Sequence, residues 1–193
     1  MTSNNHSSSD APLERLPLGG FSATWSSVQS TDHEELTIAF ENEGWTVQGI
    51  VSGIDVHYVI RMSAMWKVQQ MLLFRDLDEP DLWLANDGSG HWGEVNGSQR
   101  RELGGCEDVD ISGSAFTGVL AIRRLDLDVG GTRSVDSVVI DPDSLAITRV
   151  RISYSKLTGR SWSIARDDSP PQVFDVDAFG FPLDVPGAFT RTS

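Results

Sequence analysis

The sequence predicts an all-β domain, because its local patterns are typical of antiparallel sheets. Apolar and polar residues alternate over many short runs, which places successive side chains on opposite faces of a strand. Turn-forming clusters separate these runs at intervals of about 8 to 12 residues, a spacing typical of β-sandwiches and β-barrels. The 193 residues include 18 glycines and 8 prolines. We therefore expect about a dozen strands in one domain.

The N-terminal half contains the longest alternation. It begins at Val56, runs through Tyr58 and Ile60, and resumes at Met65 with apolar residues on both sides. Strands of this length are typical of a curved sheet that wraps around an interior. Glycine-rich turns such as Asn86–Gly90 separate the neighbouring runs. The predicted strands here are 21–27, 35–40, 45–51, 56–63, 65–76, 82–85 and 91–95.

The central stretch, residues 103–130, reads LGGCEDVDISGSAFTGVLAIRRLDLDVG. Alternation in CEDVDI puts Cys106, Asp108 and Asp110 on one face of a strand. A second alternating run from Val119 to Val129 changes phase at the two adjacent arginines of IRRL. A one-residue phase slip within a strand is the mark of a β-bulge, which re-aims a side chain. The pattern therefore predicts a bulged strand here. The remaining predicted strands are 134–140, 145–154, 161–165, 173–176 and 181–185.

The motifs of this stretch resemble those of a family called "putative glycolipid-binding proteins", formerly a domain of unknown function. GCEDVD and the later IRRL carry the resemblance, and weaker matches such as GWTVQG and PGAF extend it over roughly residues 21 to 192. Gly118 departs from the family, in which asparagine is common at this position. The resemblance implies a strongly curved antiparallel sheet that forms an incomplete or closed barrel, similar to bacterial lipoprotein carriers. It also implies a glycolipid or another lipid as the ligand class.

Composition and charge exclude several kinds of partner. The formal net charge is −13, so the chain is repelled by phosphate backbones and by anionic membrane surfaces. We therefore expect no nucleic-acid partner. No run approaches the roughly 18 apolar residues of a membrane span. One cysteine permits no internal disulfide and fits a reducing compartment. We expect a cytoplasmic monomer.

The N-terminus predicts a disordered tail over residues 1–20, before a single β domain over residues 21–193. The tail is rich in serine, asparagine, proline and glycine, so it can bury too little apolar surface to offset its ordering entropy. It has neither a basic start nor an apolar run, so it does not read as a secretory signal.

Four charged residues of the central stretch are the main site candidates, namely Asp108, Asp110, Arg123 and Arg124. One interpretation is a cross-strand ion-pair network that fixes the register. A second is the polar floor of a cavity, because forked guanidinium donors suit a phosphate, a carboxylate or sugar hydroxyls. A third is a pair of catalytic carboxylates. The sequence leaves all three open.

Cys106 is a further candidate, either as a nucleophile or as a small buried hydrophobic residue. The four histidines show no metal-binding spacing, and no phosphate loop or dinucleotide motif is present. We therefore expect no metal and no cofactor. The loop DGSGH faintly resembles a catalytic loop, although a hairpin turn explains it better.

Trp66 and Met71 are the candidates for an apolar cavity wall, since tryptophan gives a flat surface and methionine adapts to irregular ligands. Tyr154, on a predicted strand, joins them as a candidate ligand-binding residue. The function predicted from these residues and from the resemblance is that of a lipid or glycolipid carrier, which holds an amphiphile inside the barrel. The amphiphile's polar head would lie near Arg123 and Arg124. Two alternatives stay open: a small hydrolase-like enzyme that uses Cys106 and the charged cluster, and an interaction module without a small ligand.

Overall fold

The computed structural model describes residues 12–76, 79–167 and 169–193. Within them, the chain forms fifteen strands and three short 3-10 helices. The strands are β1 Phe21–Ser27, β2 His33–Glu41, β3 Gly44–Val51, β4 Val56–Ser63, β5 Val68–Phe74, β6 Leu82–Asn86, β7 Trp92–Glu94, β8 Gln99–Arg100, β9 Asp108–Ile111, β10 Thr132–Ile140, β11 Ile147–Lys156, β12 Ser161–Arg166, β13 Gln172–Asp175, β14 Asp184–Val185 and β15 Phe189–Arg191. The helices are Ser52–Ile54, Arg101–Leu103 and Thr117–Arg123.

The larger sheet has ten strands in the order β14-β15-β1-β2-β3-β4-β5-β6-β7-β8. Its neighbours are antiparallel, and from β1 to β8 they follow chain order as a meander. The sheet curls into a half-barrel, which confirms the predicted all-β fold with a strongly curved antiparallel sheet. A second sheet of five strands has the order β13-β12-β11-β10-β9.

One hydrophobic core joins the inward faces of the two sheets. Alternation selects its members; in β4, for example, Val56, Tyr58 and Ile60 are buried and the residues between them are more exposed. Burial of such side chains is the main stabilising contribution, about 1.5–3 kcal/mol for each large one. Trp25 and Trp92 are also buried, and each indole N–H donates to a backbone carbonyl. These tryptophans therefore belong to the core.

The predicted bulged strand over Val119–Val129 is wrong. Its first half is part of the 3-10 helix Thr117–Arg123, here called the crossover helix. The reason lies in the pairing of β9, which runs parallel to β10. Parallel neighbours require a long crossover connection, so the chain between Ile111 and Thr132 must travel back past the sheet. The phase change at the two arginines marks the end of this helix.

Residues 12–20 contact the rest of the domain. Leu16 is buried, and the N–H of Glu14 donates to the carbonyl of Ala178. The predicted tail spans residues 1–20, and the first eleven of these lie outside the described residues. No helix in the described part of the chain is long and apolar enough to cross a membrane.

Candidate functional site

The crossover helix fixes the position of one carboxylate of β9. The hydroxyl of Thr117 accepts a 2.8 Å hydrogen bond from the N–H of Ile111 and lies 3.1 Å from Oδ1 of Asp110, to which it donates. Contacts between residues close in sequence are therefore sufficient to orient the Asp110 side chain. Residues Thr117–Ile122 are all buried, and those from Val119 onward join the hydrophobic core, so protein fills this part of the interior.

Asp110 forms its ion pair with Arg166, the last residue of β12. Both Nε and Nη2 of the guanidinium lie 3.0 Å from Oδ2 of the carboxylate. The Asp110 side chain is 6% exposed, whereas that of Arg166 is 40% exposed. Gly118 lies beneath the pair, and a β-carbon there would occupy the place of the guanidinium. The result is a polar surface without net charge that still presents N–H donors to solvent.

This ion pair forms the floor of a half-open cleft between the two sheets, which we call the inter-sheet cleft. Its volume is about 380 Å³, within the range of about 300–1,000 Å³ typical of small-molecule sites. Its apolar walls include Val119 of the crossover helix, Phe174 of the smaller sheet and Phe189 of the larger sheet. The loop of residues 112–116, here called the cleft loop, contributes Ser112–Ala115 to the lining. Such a mixture suits a ligand with polar and apolar parts.

Asp108 pairs with a different arginine. Nη2 of Arg124 donates to its Oδ2, and Nη1 donates to Glu107 at 2.5 Å. Burial raises the pKa of Asp108 to about 6, and the charge of Arg124 only partly opposes that shift. Arg124 also borders a smaller cleft of about 240 Å³, together with Lys67 and Cys106. Since Arg124 already pairs with two carboxylates, this second cleft carries less unpaired positive charge than its cations suggest.

Arg123 points away from both carboxylates, although it is adjacent to Arg124. Its guanidinium lies 4.5 Å from the ring centroid of Trp66 and donates to the carbonyls of Phe179 and Glu14. Burial lowers its pKa to about 10. Trp66 is buried against Trp45, with ring centroids 5.5 Å apart. Arg123, which contacts both Glu14 and Trp66, therefore joins the N-terminal segment to the core.

Three further predicted site residues lie in the interior. Met71 and Cys106 are fully buried, and burial raises the pKa of the Cys106 thiol to about 11. The hydroxyl of Tyr154 donates to the carbonyl of Gly118 at 3.0 Å and so braces the crossover helix. Because a thiol is nucleophilic only as the thiolate, Cys106 is a weak nucleophile in this environment.

Two residues of the site were missed by sequence reasoning. Arg166 gives no sequence signal, because it meets Asp110 across 56 positions of the chain. Glu34 lies just before the predicted strand 35–40, yet in the structure it is part of β2 and is fully buried. The sequence does indicate this burial, because Glu34 alternates in phase with the apolar residues Leu36 and Ile38, which are buried. A carboxylate in the inward phase of a strand is unusual enough to mark a functional or structural site.

The loop of Asp87, Ser89 and His91 is the tip of the β6–β7 hairpin. Both the serine hydroxyl and the aspartate carboxylate lie within 3.1 Å of the same imidazole atom, Nδ1. A catalytic triad needs the two partners on opposite ring nitrogens, so this contact is a turn contact. No cluster of three or more potential metal ligands occurs in the ranges that the structure describes.

Fold and site together define a β half-barrel protein with a half-open cleft between its two sheets. The chain belongs to the family described as "Putative glycolipid-binding", whose model matches residues 22–191. It is also similar to the crystal structure of a DUF1089 family protein from Pseudomonas aeruginosa, with a TM-score of 0.67 and 25% sequence identity. That match covers 94% of this chain and 97% of the other. A search of curated proteins gave no match.

Proposed function

We propose that this protein binds an amphiphile of the glycolipid class and holds its sugar headgroup in the inter-sheet cleft. The observation that carries the proposal is the floor of that cleft, where Asp110 and Arg166 neutralise each other beside apolar walls. A sugar ring has hydroxyl groups around its edge and C–H groups on its faces. It can therefore use the donors and acceptors of the floor while its faces contact Phe174 and Phe189.

The lack of net charge on the Asp110–Arg166 pair favours a neutral headgroup over an anionic one. The guanidinium of Arg166 keeps two contacts to Asp110, so an incoming phosphate would have to compete with a buried carboxylate. A hydroxyl group needs only a free N–H or a carboxylate lone pair, and it leaves the ion pair intact. The family name points to the same ligand class. A glycolipid's sugar and a free sugar share this chemistry.

The acyl chain is expected to lie along the apolar walls and to leave through the open side of the cleft. The crossover helix fills the neighbouring interior with buried side chains, so a chain threaded through the core would have to displace them. Val119 and Phe189 line the cleft from the helix and from the larger sheet, respectively. We therefore place the headgroup in the cleft and the acyl chain against its rim.

Calorimetry with n-octyl β-D-glucoside, below its critical micelle concentration, tests the proposal. We expect binding to the wild type, weaker binding of glucose, and weaker binding of an octyl oligo(ethylene glycol) ether that lacks the sugar. Arg166→Met leaves the buried Asp110 carboxylate without its partner, and Asp110→Asn removes the charge that holds the Arg166 guanidinium in place. Each variant should therefore weaken binding by roughly tenfold or more. Native mass spectrometry with solvent extraction would identify any amphiphile that co-purifies.

Arg75→Met serves as the matched control, because it removes a similar ion pair, with Asp81, that is remote from the cleft. It should leave binding unchanged. Equal affinity for the glucoside and the sugar-free ether would contradict a headgroup site. Absence of binding to the glucoside, with a bare mass after purification, would reject the ligand class.

A further inference from the structure

Glu34 is a buried carboxylate that connects the larger sheet to the cleft loop. It lies on the inward face of β2 and has no exposed surface. On the sheet side it accepts a 2.7 Å hydrogen bond from the hydroxyl of Tyr58. The Tyr58 ring reaches across β3 above Gly49, where a β-carbon would fall on the ring. The glycine thus gives Tyr58 its path to the carboxylate.

The cleft loop supplies the other donors. The hydroxyl of Ser114 donates to Oε1 of Glu34 at 2.7 Å, and the N–H of Ala115 donates to Oε2 at 2.5 Å. The Ser114 hydroxyl in turn accepts hydrogen bonds from the N–H groups of Phe116 and Thr117. Thr117 then holds Asp110. A continuous series of hydrogen bonds therefore runs from Glu34 to the floor of the inter-sheet cleft.

No cation contacts this carboxylate among the described residues. Its neighbours across the sheet are Trp25 on β1 and Val51 on β3, both apolar. Arg191 lies over the Trp25 ring, 5.0 Å from its centroid, and is paired with Asp177.

The charged groups that line the inter-sheet cleft together with the cleft loop are the paired Asp110 and Arg166. Tyr58 is the titratable group in direct contact with Glu34.

The two contacting groups have shifted acidities. Burial raises the pKa of Glu34 above its ordinary 4.5, and the hydrogen bonds from Tyr58 and Ser114 oppose that shift. Burial, followed by the charge of Glu34, raises the pKa of Tyr58 well above its ordinary 10. Tyr58 therefore keeps its proton wherever the protein is folded near neutral pH, and Glu34 is the member that titrates.

We propose that Glu34 is a positioning residue for the inter-sheet cleft: its ionised carboxylate holds the cleft loop, and protonation loosens the loop and weakens ligand binding. The physical reason is the number of donors. An ionised carboxylate accepts from Tyr58, Ser114 and Ala115 at once, whereas a protonated one presents a hydroxyl where it previously accepted. The ligand part of this inference rests on the proposed function, but the loop response is a property of the free protein.

The free protein provides the first test, by NMR over a pH series. The Ala115 amide proton and the Glu34 carboxyl carbon should titrate with one shared midpoint above the ordinary 4.5. In Glu34→Gln the Ala115 resonance should not move with that midpoint. Glu35→Gln is the matched control, since Glu35 is the next residue and its side chain is 60% exposed. It should titrate like the wild type.

The NMR series on the wild type is sufficient to disprove the proposed loop response, even if Glu34→Gln fails to fold. A flat Ala115 resonance, or midpoints that differ between amide and carboxyl, would show that the carboxylate does not hold the loop. A shared midpoint supports the inference, because a side chain with only a packing role would not move the amide resonance with pH.

Binding of n-octyl β-D-glucoside across the same pH series is the second test. We expect the wild-type affinity to fall by roughly tenfold as the pH is lowered through the shared midpoint. Protonation replaces the charge-assisted hydrogen bonds that hold the loop by neutral ones, which are about half as strong. Glu34→Gln should show no such step. An affinity that is independent of pH would reject the inference and leave the proposed function standing. Absence of binding at every pH, with the amide still titrating, would reject the proposed function and leave the loop response standing.

Discussion

The guanidinium of Arg166 lies against Gly118, in the space that a β-carbon at position 118 would occupy. The backbone of Gly118 is not in the left-handed region, so the requirement for glycine is steric. Carboxylate oxygens of Asp110 border the same space. The absence of one methyl group thus allows the ion pair to settle on the crossover helix.

Gly118→Ala should weaken binding of n-octyl β-D-glucoside severalfold and change stability little. The added methyl displaces the flexible end of Arg166 from Asp110, while alanine favours helix by about 1 kcal/mol over glycine. Calorimetry and urea unfolding measure the two effects. Gly19→Ala is the control, because a β-carbon there meets nothing within 4 Å. A loss of several kcal/mol in unfolding free energy would show that the backbone, not Arg166, resists the methyl.

The secondary structure could be predicted where local pattern and tertiary pairing agree. Alternation in β2, β3 and β4 selects one buried face, and the structure buries that face. The run after Gly118 alternates too, but its conformation is decided by the parallel pairing of β9 with β10. The sequence contains no local record of that pairing, so the strand prediction for this run was wrong.

The candidate site shows the same limit. Asp108 and Arg124 belong to one stretch of sequence and meet in the structure. Arg123 was assigned to the same cluster, yet a helical turn sends it to Trp66. The partner of Asp110 is Arg166, which comes from a different hairpin. Local patterns can thus identify buried charges, whereas their partners are set by the packing of distant strands.

Arg123→Met should destabilise the protein without affecting the inter-sheet cleft. It removes hydrogen bonds to two carbonyls and the contact with Trp66, a loss of about 1–3 kcal/mol. Urea unfolding followed by tryptophan fluorescence measures it. Arg133→Met, at an exposed position of β10, should have no effect. Loss of glucoside binding at unchanged stability would instead give Arg123 the ligand-binding role predicted from the sequence.

Cys106 should react slowly with a disulfide reagent in the folded protein. Its side chain is fully buried, and its pKa is raised to about 11 by that burial. The thiolate is thus scarce at pH 8 and also shielded. We expect the native rate with 5,5′-dithiobis(2-nitrobenzoic acid) to be at least ~1,000-fold below the rate in urea. A comparable native rate would favour the enzyme interpretation, with Cys106 as nucleophile.

Asp108 should make the protein less stable as the pH rises, whereas the carboxylate of an exposed ion pair makes a protein more stable as the pH rises. Its pKa is raised from 3.8 to about 6, chiefly by burial. The folded state therefore binds this proton more tightly than the unfolded state does. The resulting stabilisation is complete below the ordinary pKa and is lost as the pH rises through about 6. Urea unfolding over a pH series should show the wild type losing a few kcal/mol relative to Asp108→Asn across this window.

Asp81 provides the control of opposite sign. A hydrogen bond from Arg75 lowers its pKa below 3.8, so its contribution is present above that value and is lost on acidification. Asp81→Asn should therefore differ from the wild type least at low pH, whereas Asp108→Asn should lose its relative advantage there. A constant difference between the wild type and Asp108→Asn would mean that Arg124 compensates fully for burial. The Asp108–Arg124 pair would then be a stabilising ion pair, because its attraction would match the cost of removing both charges from water.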